Sequence, residues 1–353
     1  MNAISPQVPQ PGLVMPPPPP PIVDAIGWER GGPAAYGSFA EKLLAQGFRA
    51  SAMRSSTVLR KDEWKLFDAI VIEVARQRLV GVGDLLSRGL RMDVPDALGV
   101  LRIEWEQSTD MTPAAVSMDA VTDIERDRLT YNLLSVPLPV VHKDFTVNIR
   151  ALHASRKLGT PMDVTQAARS TTLVTEMNEQ ILFQGASVIS NASPIYGYKT
   201  AVNRNTGSLI SRWDDRTTTT GEEIVTDVFE MIAQARGDNM YGPYLLYVPD
   251  DYFIRLAEDY KANSDITILQ RVLLIPGIVG VQPTKNLNGG ATGEVIMVQM
   301  TRDTVDMVVG MQPGMVSWEE HGGMVVNFKI MSIMVPRMKY DASLQSGIVH
   351  HSV

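Results

Sequence analysis

Two strand-like patterns, separated by an acidic stretch, lie between residues 100 and 141. From Val100 to Glu106, apolar Leu101, Ile103 and Trp105 alternate with charged residues, and a second apolar run extends from Leu129 to Val141. This arrangement predicts the two strands of a long hairpin. An isolated two-stranded hairpin is only marginally stable in water. The chain must therefore fold so that this projection lies against another surface.

The distal part of the predicted hairpin is acidic and poor in large apolar residues. Residues 104 to 127 include seven acidic residues and one basic residue, Arg126. A segment of this composition cannot build a core of its own. It therefore needs a neighbour against which to lie.

The chain length favours more than one core. The 353 residues exceed what a single compact core usually absorbs, so we expect two packed regions with extensions. The sequence contains no cysteine, which excludes disulfides, thiolate metal sites and a cysteine nucleophile. It also contains no apolar run of about 18 residues and no signal-peptide pattern, so we expect a soluble intracellular protein without membrane contact.

The charge of the chain is unevenly distributed. Residues 1 to 92 carry 11 basic and 8 acidic residues, or +3, and the remainder must carry 21 and 31, or −10, of the net −7. Tight wrapping of nucleic acid requires dense neutralisation of phosphates by basic groups. We therefore expect at most weak, non-specific contact with DNA.

The N-terminal leader has low sequence complexity. Residues 1 to 22 contain six consecutive prolines, Pro16 to Pro21, which favour the extended polyproline II conformation. We interpret the leader as a flexible arm, with a ligand for a proline-binding module as the alternative. The next strong pattern, Trp64 to Leu79, predicts a helix that ends before Gly81 and Gly83.

A strand followed by a long helix is predicted after the hairpin. The strand alternates apolar and polar residues from Phe145 to Ile149. The helix is expected over residues 161 to 185, with Thr160 as its cap, Pro161 in the first position and Gly185 at its end. At about 1.5 Å per residue it would be a rod about 36 Å long.

The remaining sequence predicts a mixed α/β region. Thr220 and Glu223 have the spacing of a capping box at the start of a helix. The last predicted strand changes its buried side near Met331, so we expect it to leave one sheet for another. The predicted strands are Tyr244 to Val248, Ile278 to Gln282, Glu294 to Thr301, Thr304 to Val309 and Met324 to Pro336.

No motif indicates catalysis. The five histidines lack the spacing of metal ligands, and Glu319, Glu320 and His321 fit a turn between strands. Asp250 and Asp251 follow a proline before a helix, where they are expected to cap and charge its N-terminus. We therefore expect no enzyme activity, no cofactor and no metal. A two-domain α/β enzyme or ligand-binding protein remains the alternative from another class, and it would need convergent polar groups.

The order of elements and three local motifs resemble a known family. The stretches Asp144 to Leu152, Thr175 to Gly185 and Pro194 to Gly197 resemble the strand, helix ending and following motif of encapsulin-like capsid proteins. The chain is thus similar, over roughly residues 95 to 353, to tailed-phage major capsid proteins with the Hong Kong 97-type fold, in their encapsulin-like branch.

This resemblance implies an α+β fold with a definite division of the chain. An N-terminal arm and an extended β-hairpin loop would accompany a peripheral domain with a long spine helix and a mixed α/β axial domain. The implied ranges are 1–60 for the flexible proline-rich arm, 61–99 for the N-terminal helix and linker, 100–142 for the extended loop, 143–200 with 324–353 for the peripheral domain, and 201–323 for the axial domain.

The resemblance also implies contacts between subunits. The extended loop would lie over a neighbour, and we expect its apolar residues to be buried only there, because the single chain offers them no partner. A turn near the capsomer axes is the second candidate, with an ordinary exposed loop as its alternative. The candidate contact residues are Trp105, Leu133, Leu134, Val136, Leu138 and Val140 in the loop, and Lys285, Asn286 and Asn288 in the turn.

The implied function is that of a major capsid protein. It would form hexamers and pentamers of an icosahedral head around double-stranded DNA, in a virion assembled in the host cytoplasm. Its partners would be copies of itself, with portal, scaffold and decoration proteins as further candidates. No lysine lies between Lys65 and Lys143, so we expect a shell without covalent links through the loop. An encapsulin compartment that encloses a cargo protein is the alternative.

Overall fold

A computed structural model describes residues 61–108, 111, 114, 116, 118, 128–158, 164–186, 194–261, 265–288, 292–321, 324–341 and 343–353. The predicted arm, residues 1–60, lies outside this part. The described helices are α1 (Lys61–Arg78), α2 (Gly81–Ser87), α3 (Ile149–Leu158), α4 (Thr165–Gln184), α5 (Gly221–Gly237), α6 (Asp250–Leu256) and α7 (Ile268–Leu273). The described strands are β1 (Arg91–Asp93), β2 (Arg102–Ser108), β3 (Tyr131–Pro137), β4 (Val141–Asn148), β5 (Asn205–Ser208), β6 (Tyr244–Val248), β7 (Ile278–Pro283), β8 (Glu294–Gln299), β9 (Val305–Glu320), β10 (Val325–Met338) and β11 (Ile348–Ser352).

Two sheets and one separate hairpin organise the strands. The first sheet has the order β1-β9-β10-β4, with β1 parallel to β9 and the other pairs antiparallel. The second has the order β5-β11-β8-β6-β7, in which β5 with β11 and β6 with β7 are parallel. Among the described strands, β2 and β3 pair only with each other and form the predicted hairpin. Helices packed on such mixed sheets confirm the α+β class.

The long pair of β9 and β10 forms the centre of the first sheet. Their pairing runs along almost the whole of both strands, and β9 continues to Glu320 although the sequence predicted its end at Val309. The register shifts between Met331 and Met334. The two shifts leave two extra residues on β9, and the alternation of β10 itself is unbroken. The predicted change of buried side reflects the burial of both faces of β10 from Ile330 to Pro336. The expectation that the strand leaves its sheet is wrong, since β10 stays paired with β9.

Strand pairing crosses the predicted domain boundary at two places. β9 lies entirely within the predicted axial range 201–323, yet it pairs with β10 and β1 in the first sheet. β11 lies within the predicted peripheral range 324–353, yet it pairs with β8 and β5 in the second sheet. Local patterns do not predict such partners, because burial and register select them from distant parts of the chain. The division of the other residues stays a prediction.

Helix α5 begins with the predicted capping box. The Thr220 hydroxyl accepts a hydrogen bond from the Glu223 N–H at 3.3 Å, and the Glu223 carboxylate accepts one from the Thr220 N–H at 2.7 Å. The helix then buries Ile224, Val228 and Ile232 in the core of the second sheet. The cap and the apolar stripe both depend on residues only a few positions apart, which is why the sequence predicts this helix well.

The rod helix is shorter than predicted. It begins at Thr165 rather than at Pro161, so at about 1.5 Å per residue it is about 30 Å long. The predicted capping residues, 160 to 163, lie outside the described part of the chain. The helix ends as predicted: Gly185 has a φ of 78°, and a Cβ there would collide with the carbonyl oxygen of Ile195.

A buried carboxylate, that of Glu179, joins the rod helix to the start of α2. Its Oε2 accepts a hydrogen bond from the Gly81 N–H at 3.1 Å, and its Oε1 accepts one from the Val82 N–H at 2.9 Å. These N–H groups belong to the first turn of α2 and have no partner within that helix. Gly81 permits the approach, because a Cβ there would lie 2.9 Å from the Leu182 side chain. The Glu179 contact therefore holds α2 against the rod.

Burial raises the pKa of Glu179 to about 7, although the N–H groups of Val82 and Gly81 act in the opposite direction. The nearby carboxylate of Asp84 raises this pKa further, and burial also raises the pKa of Asp84. Folding therefore favours protonated Glu179. The stability that this group contributes is complete below its ordinary pKa of 4.5 and is lost as the pH rises through about 7.

The variant Glu179→Gln is expected to flatten the dependence of the unfolding free energy on pH. In the parent chain the contribution of Glu179 falls by up to about 3 kcal/mol between about pH 4.5 and pH 7, because the ionised carboxylate is poorly solvated. The neutral amide does not ionise, so the variant lacks this loss. Urea denaturation of unassembled subunits across the range measures the difference.

Glu176→Gln provides the control, because it changes an exposed carboxylate on the same helix. It should keep the pH dependence of the parent chain. An identical slope for the parent and Glu179→Gln would contradict the role assigned to the buried carboxylate.

Candidate subunit interface

The hairpin of β2 and β3 has an inner face that joins the core of its own subunit. Ile103 pairs with Val136 and Trp105 pairs with Leu134, so these four side chains share one face. Ile103 and Val136 are buried in a cluster formed with side chains of β9 and β10. The base of the hairpin is therefore part of the subunit core.

The structure corrects the expectation that the loop residues are buried only by a neighbour. Val136 and Leu138 are each only 5% exposed in the single chain. Trp105 and Leu134 are half-buried, and Trp105 packs on the same cluster as Val136. Their partners lie far away in sequence on β9 and β10, so the local pattern did not reveal them. Val136 and Leu138 are therefore not part of the exposed surface that a neighbouring subunit could contact.

The outer face of the hairpin remains open to a partner. Leu133 is 63% exposed and shares this face with Tyr131, which is 60% exposed. The exposed carboxylates of Glu104 and Glu106 lie on the same face. Val140, after β3, is 43% exposed. Sequence reasoning singled out Leu133 and Val140 but missed Tyr131, which the period of two along a strand would have placed beside Leu133.

Arg337 on β10 holds the indole of Trp105. Its guanidinium carbon lies 5.4 Å from the ring centroid, within the range of a cation–π interaction. Asp306 fixes the guanidinium, accepting hydrogen bonds from Nε at 2.8 Å and from Nη2 at 2.5 Å. Lys339 Nζ lies 2.8 Å from the same carboxylate. Nothing in the local sequence around Trp105 predicts this contact.

Asp306 is buried, and its pKa reflects two opposed effects. Burial acts to raise this pKa, but the hydrogen bonds and charges of Arg337 and Lys339 outweigh it, so the pKa lies below its ordinary value. Asp306 is therefore ionised at neutral pH and keeps Arg337 in place beside Trp105.

Gln107 provides a second anchor for the hairpin. Its side-chain amide donates hydrogen bonds to the carbonyl oxygens of Tyr340 at 2.9 Å and of Asp341 at 2.7 Å. These acceptors follow the end of β10. The hairpin is therefore held at two positions by β10 and the segment directly after it.

The predicted axial turn lies beside the C-terminal end of the rod helix. Lys285 and Asn288 are exposed, and Asn286 is half-buried. The Asn286 carbonyl accepts a hydrogen bond from the Gln184 side chain at 3.4 Å, and the Asn288 N–H donates one to Glu294 at 3.1 Å. The turn is thus fixed through its backbone. It packs in a different core cluster from the hairpin base, so the structure does not bring the two candidate groups together.

The described residues contain no group of three or more His, Asp or Glu side chains placed to hold a metal ion. None of their helices is long and apolar enough to cross a membrane. Asp250 and Asp251 lie in the first turn of α6, as predicted, where carboxylates interact favourably with the positive end of a helix.

Several known proteins of similar sequence or structure are shell proteins. The type 1 encapsulin shell protein EncA of Myxococcus xanthus is 24% identical over 287 residues, which cover 81% of this chain and 92% of the relative. A virus-like particle from Pyrococcus furiosus matches with a TM-score of 0.54 and 18% identity, over 80% of this chain and 96% of its own. The capsid of Myoviridae phage XM1 matches with a TM-score of 0.57 and 10% identity, over 72% and 86%.

These matches confirm the predicted fold. The chain has the Hong Kong 97-type fold that the similar capsid and encapsulin-like shell proteins share. The model of one protein family matches residues 52–351, which include all the described helices and strands except Ser352, the last residue of β11. The chain therefore belongs to that family, DUF6260, a family of unknown function.

Proposed function

We propose that this chain is the subunit of a closed protein shell and has a structural rather than an enzymatic role. The outer hairpin face carries the proposal, because Tyr131 and Leu133 are exposed on a projection that the described part of its own subunit does not cover. Large apolar side chains grouped on a surface are typical of interaction sites. A neighbouring copy that covered them would stabilise both subunits. The shared fold with shell proteins supports this function.

The proposed contacts follow the division of the chain that the resemblance implies. Residues 100–142 would be the extended loop over a neighbouring subunit. Lys285, Asn286 and Asn288 would lie near the capsomer axes. The peripheral and axial domains would retain the predicted ranges, except that β9 belongs to the first sheet and β11 to the second.

We further propose that the shell is the icosahedral head of a tailed phage, with hexamers and pentamers around double-stranded DNA. The similar capsid of phage XM1 supports this proposal. The proline-rich residues 1 to 22 also support it, because they precede the family match and would be an addition to a compact encapsulin. Portal, scaffold and decoration proteins are then candidate partners. Contact with the DNA would be weak, since the net charge is −7.

An encapsulin compartment around a cargo protein is the second candidate. EncA favours it, because the alignment covers 92% of that shell protein at 24% identity. Both candidates require the same subunit contacts and differ in what the shell encloses. Portal and terminase genes beside the coding sequence would favour the phage head.

Electron microscopy of the purified, overexpressed protein tests the shell function. We expect closed particles or capsomer tubes, because assembly supplies burial for the exposed hairpin face. Protein that stays uniformly monomeric at high concentration would contradict both candidates. Nuclease-resistant double-stranded DNA in native particles would distinguish a phage head from a compartment that contains a cargo protein.

The proposed shell is held together without covalent links. The hairpin has no amine to donate, since no lysine lies between Lys65 and Lys143. Mature particles boiled in detergent should therefore give one band near 38.8 kDa on a denaturing gel. A ladder of linked oligomers would refute this expectation.

We propose that the contacts at Trp105 and Gln107 position the hairpin before a neighbour binds. The variants Trp105→Leu and Gln107→Ala each remove one anchor. The cation–π contact of Trp105 contributes about 1 kcal/mol, and the two hydrogen bonds of Gln107 contribute about 1 kcal/mol each. Amide exchange of β2 and β3 in unassembled subunits should then become about fivefold faster in Trp105→Leu and about 30-fold faster in Gln107→Ala. Glu106→Gln, between the two anchors, should leave exchange unchanged. Unaltered exchange in both anchor variants would show that the hairpin is positioned by other contacts.

A further inference from the structure

Helix α3 presents a basic face in a protein whose net charge is negative. Its sequence, IRALHASRKL, contains three Arg or Lys residues and a histidine but no acidic residue, whereas the chain has a net charge of −7. Arg150, His153 and Lys157 are exposed. Their spacing of three and four residues places them on one side of the helix. We call these three side chains the basic face of α3.

The basic face forms no ion pair within the described part of the subunit. None of its three side chains forms an ion pair or hydrogen bond with another described residue. The backbone N–H of Arg150 donates to the Asn148 side chain at 2.8 Å, but its guanidinium is not engaged there. A cationic surface of this kind attracts an anionic partner.

The outer hairpin face carries the complementary charge. Glu104 and Glu106 are exposed on alternate residues of β2 and have no ion pair with a described residue. Tyr131 and Leu133 lie beside them on the same face. A partner of this face therefore needs cations together with groups that can cover apolar side chains. The basic face of α3 supplies both, because Arg and Lys carry their charges on apolar stems that can lie over such side chains.

The spacing of the charges on the two faces is compatible. Arg150 and Lys157 are about 10 Å apart along the helix axis, at about 1.5 Å per residue. Glu104 and Glu106 are about 7 Å apart along the strand. A helix lying along the hairpin can thus place a separate cation near each carboxylate. Arg102 lies at the base of the hairpin face, so the negative part of that face points toward the tip.

We propose that the basic face of α3 is the docking surface for the outer hairpin face of a second copy of this chain. This inference rests on the proposed shell function and assigns a receiving surface to the hairpin. The base of the hairpin is fixed on β9 and β10 of its own subunit, and no described ion pair joins the two faces within one chain. Nucleic acid could also bind the basic face of α3, but it is a less suitable partner. It would leave Tyr131 and Leu133 of the outer hairpin face exposed.

Paired charge reversals test this contact. Arg150→Glu with Lys157→Glu, and separately Glu104→Lys with Glu106→Lys, should each raise several-fold the subunit concentration at which half of the protein assembles. The chain that carries all four changes should recover most of the lost assembly, because opposite charges face each other again. Light scattering and sedimentation at graded concentrations measure the subunit concentration at which half of each variant assembles. Salt should weaken assembly of the parent more than that of either double variant, because salt screens exposed charges.

Matched controls separate this contact from a general effect of charge. Lys65→Glu with Arg169→Glu makes the same change in net charge at exposed positions of α1 and α4, and it should assemble like the parent chain. Arg150→Gln with Lys157→Gln should show a smaller defect than the reversal. Circular dichroism and thermal unfolding should show that every variant retains the parent fold, since all the altered side chains are exposed.

Several outcomes would overturn the docking surface while leaving the shell function intact. These are normal assembly of the α3 reversal, no recovery in the fourfold variant, or an equal defect in the control. A loss of co-purified nucleic acid without any assembly defect would assign the basic face to nucleic acid instead. If the parent chain forms no shells under any condition, the proposed function fails before the docking surface is tested.

Discussion

The antiparallel pair of β9 and β10 provides the surfaces on which both the rod helix and the hairpin pack. Before the register shifts, β10 buries Phe328 and Ile330 against helices α1 and α4. Between the two shifts, Ile333 packs on the base of the hairpin. Arg337, near the end of the same strand, contacts Trp105. Because packed interiors tolerate little displacement, one long strand pair sets the relative positions of the rod and the projecting hairpin.

Two buried carboxylates, those of Glu179 and Asp306, form specific polar contacts within this packing. Their different partners explain their opposite pKa shifts. The carboxylate of Glu179 accepts hydrogen bonds from neutral N–H groups, which do not outweigh the cost of burying a charge. The carboxylate of Asp306 lies between Arg337 and Lys339, whose positive charges do outweigh it. Glu179 thus makes the docking of α2 sensitive to pH near neutrality, whereas the contact of Asp306 with Arg337 persists to acidic pH.

The subunit combines an anchored hairpin base with an uncovered outer face. Trp105 and Gln107 hold the inner face of the hairpin to its own chain, so a neighbour that binds the outer face does not have to order the hairpin from a random state. The exposed Tyr131 and Leu133 supply apolar area for that contact, and the surrounding carboxylates determine which partner surfaces are compatible. Many such contacts, each modest, can stabilise a closed shell.

Local sequence is sufficient to predict the hairpin, the capping box at Thr220 and the helix end at Gly185, because each depends on residues a few positions apart. In the candidate interface, the local sequence also places Leu133 on the outer face of the hairpin. It does not predict that Val136 is buried in its own subunit or that Arg337 holds Trp105. Alternation shows which side chains share a face of a strand, whereas the surface that this face meets is selected by burial and register among distant segments.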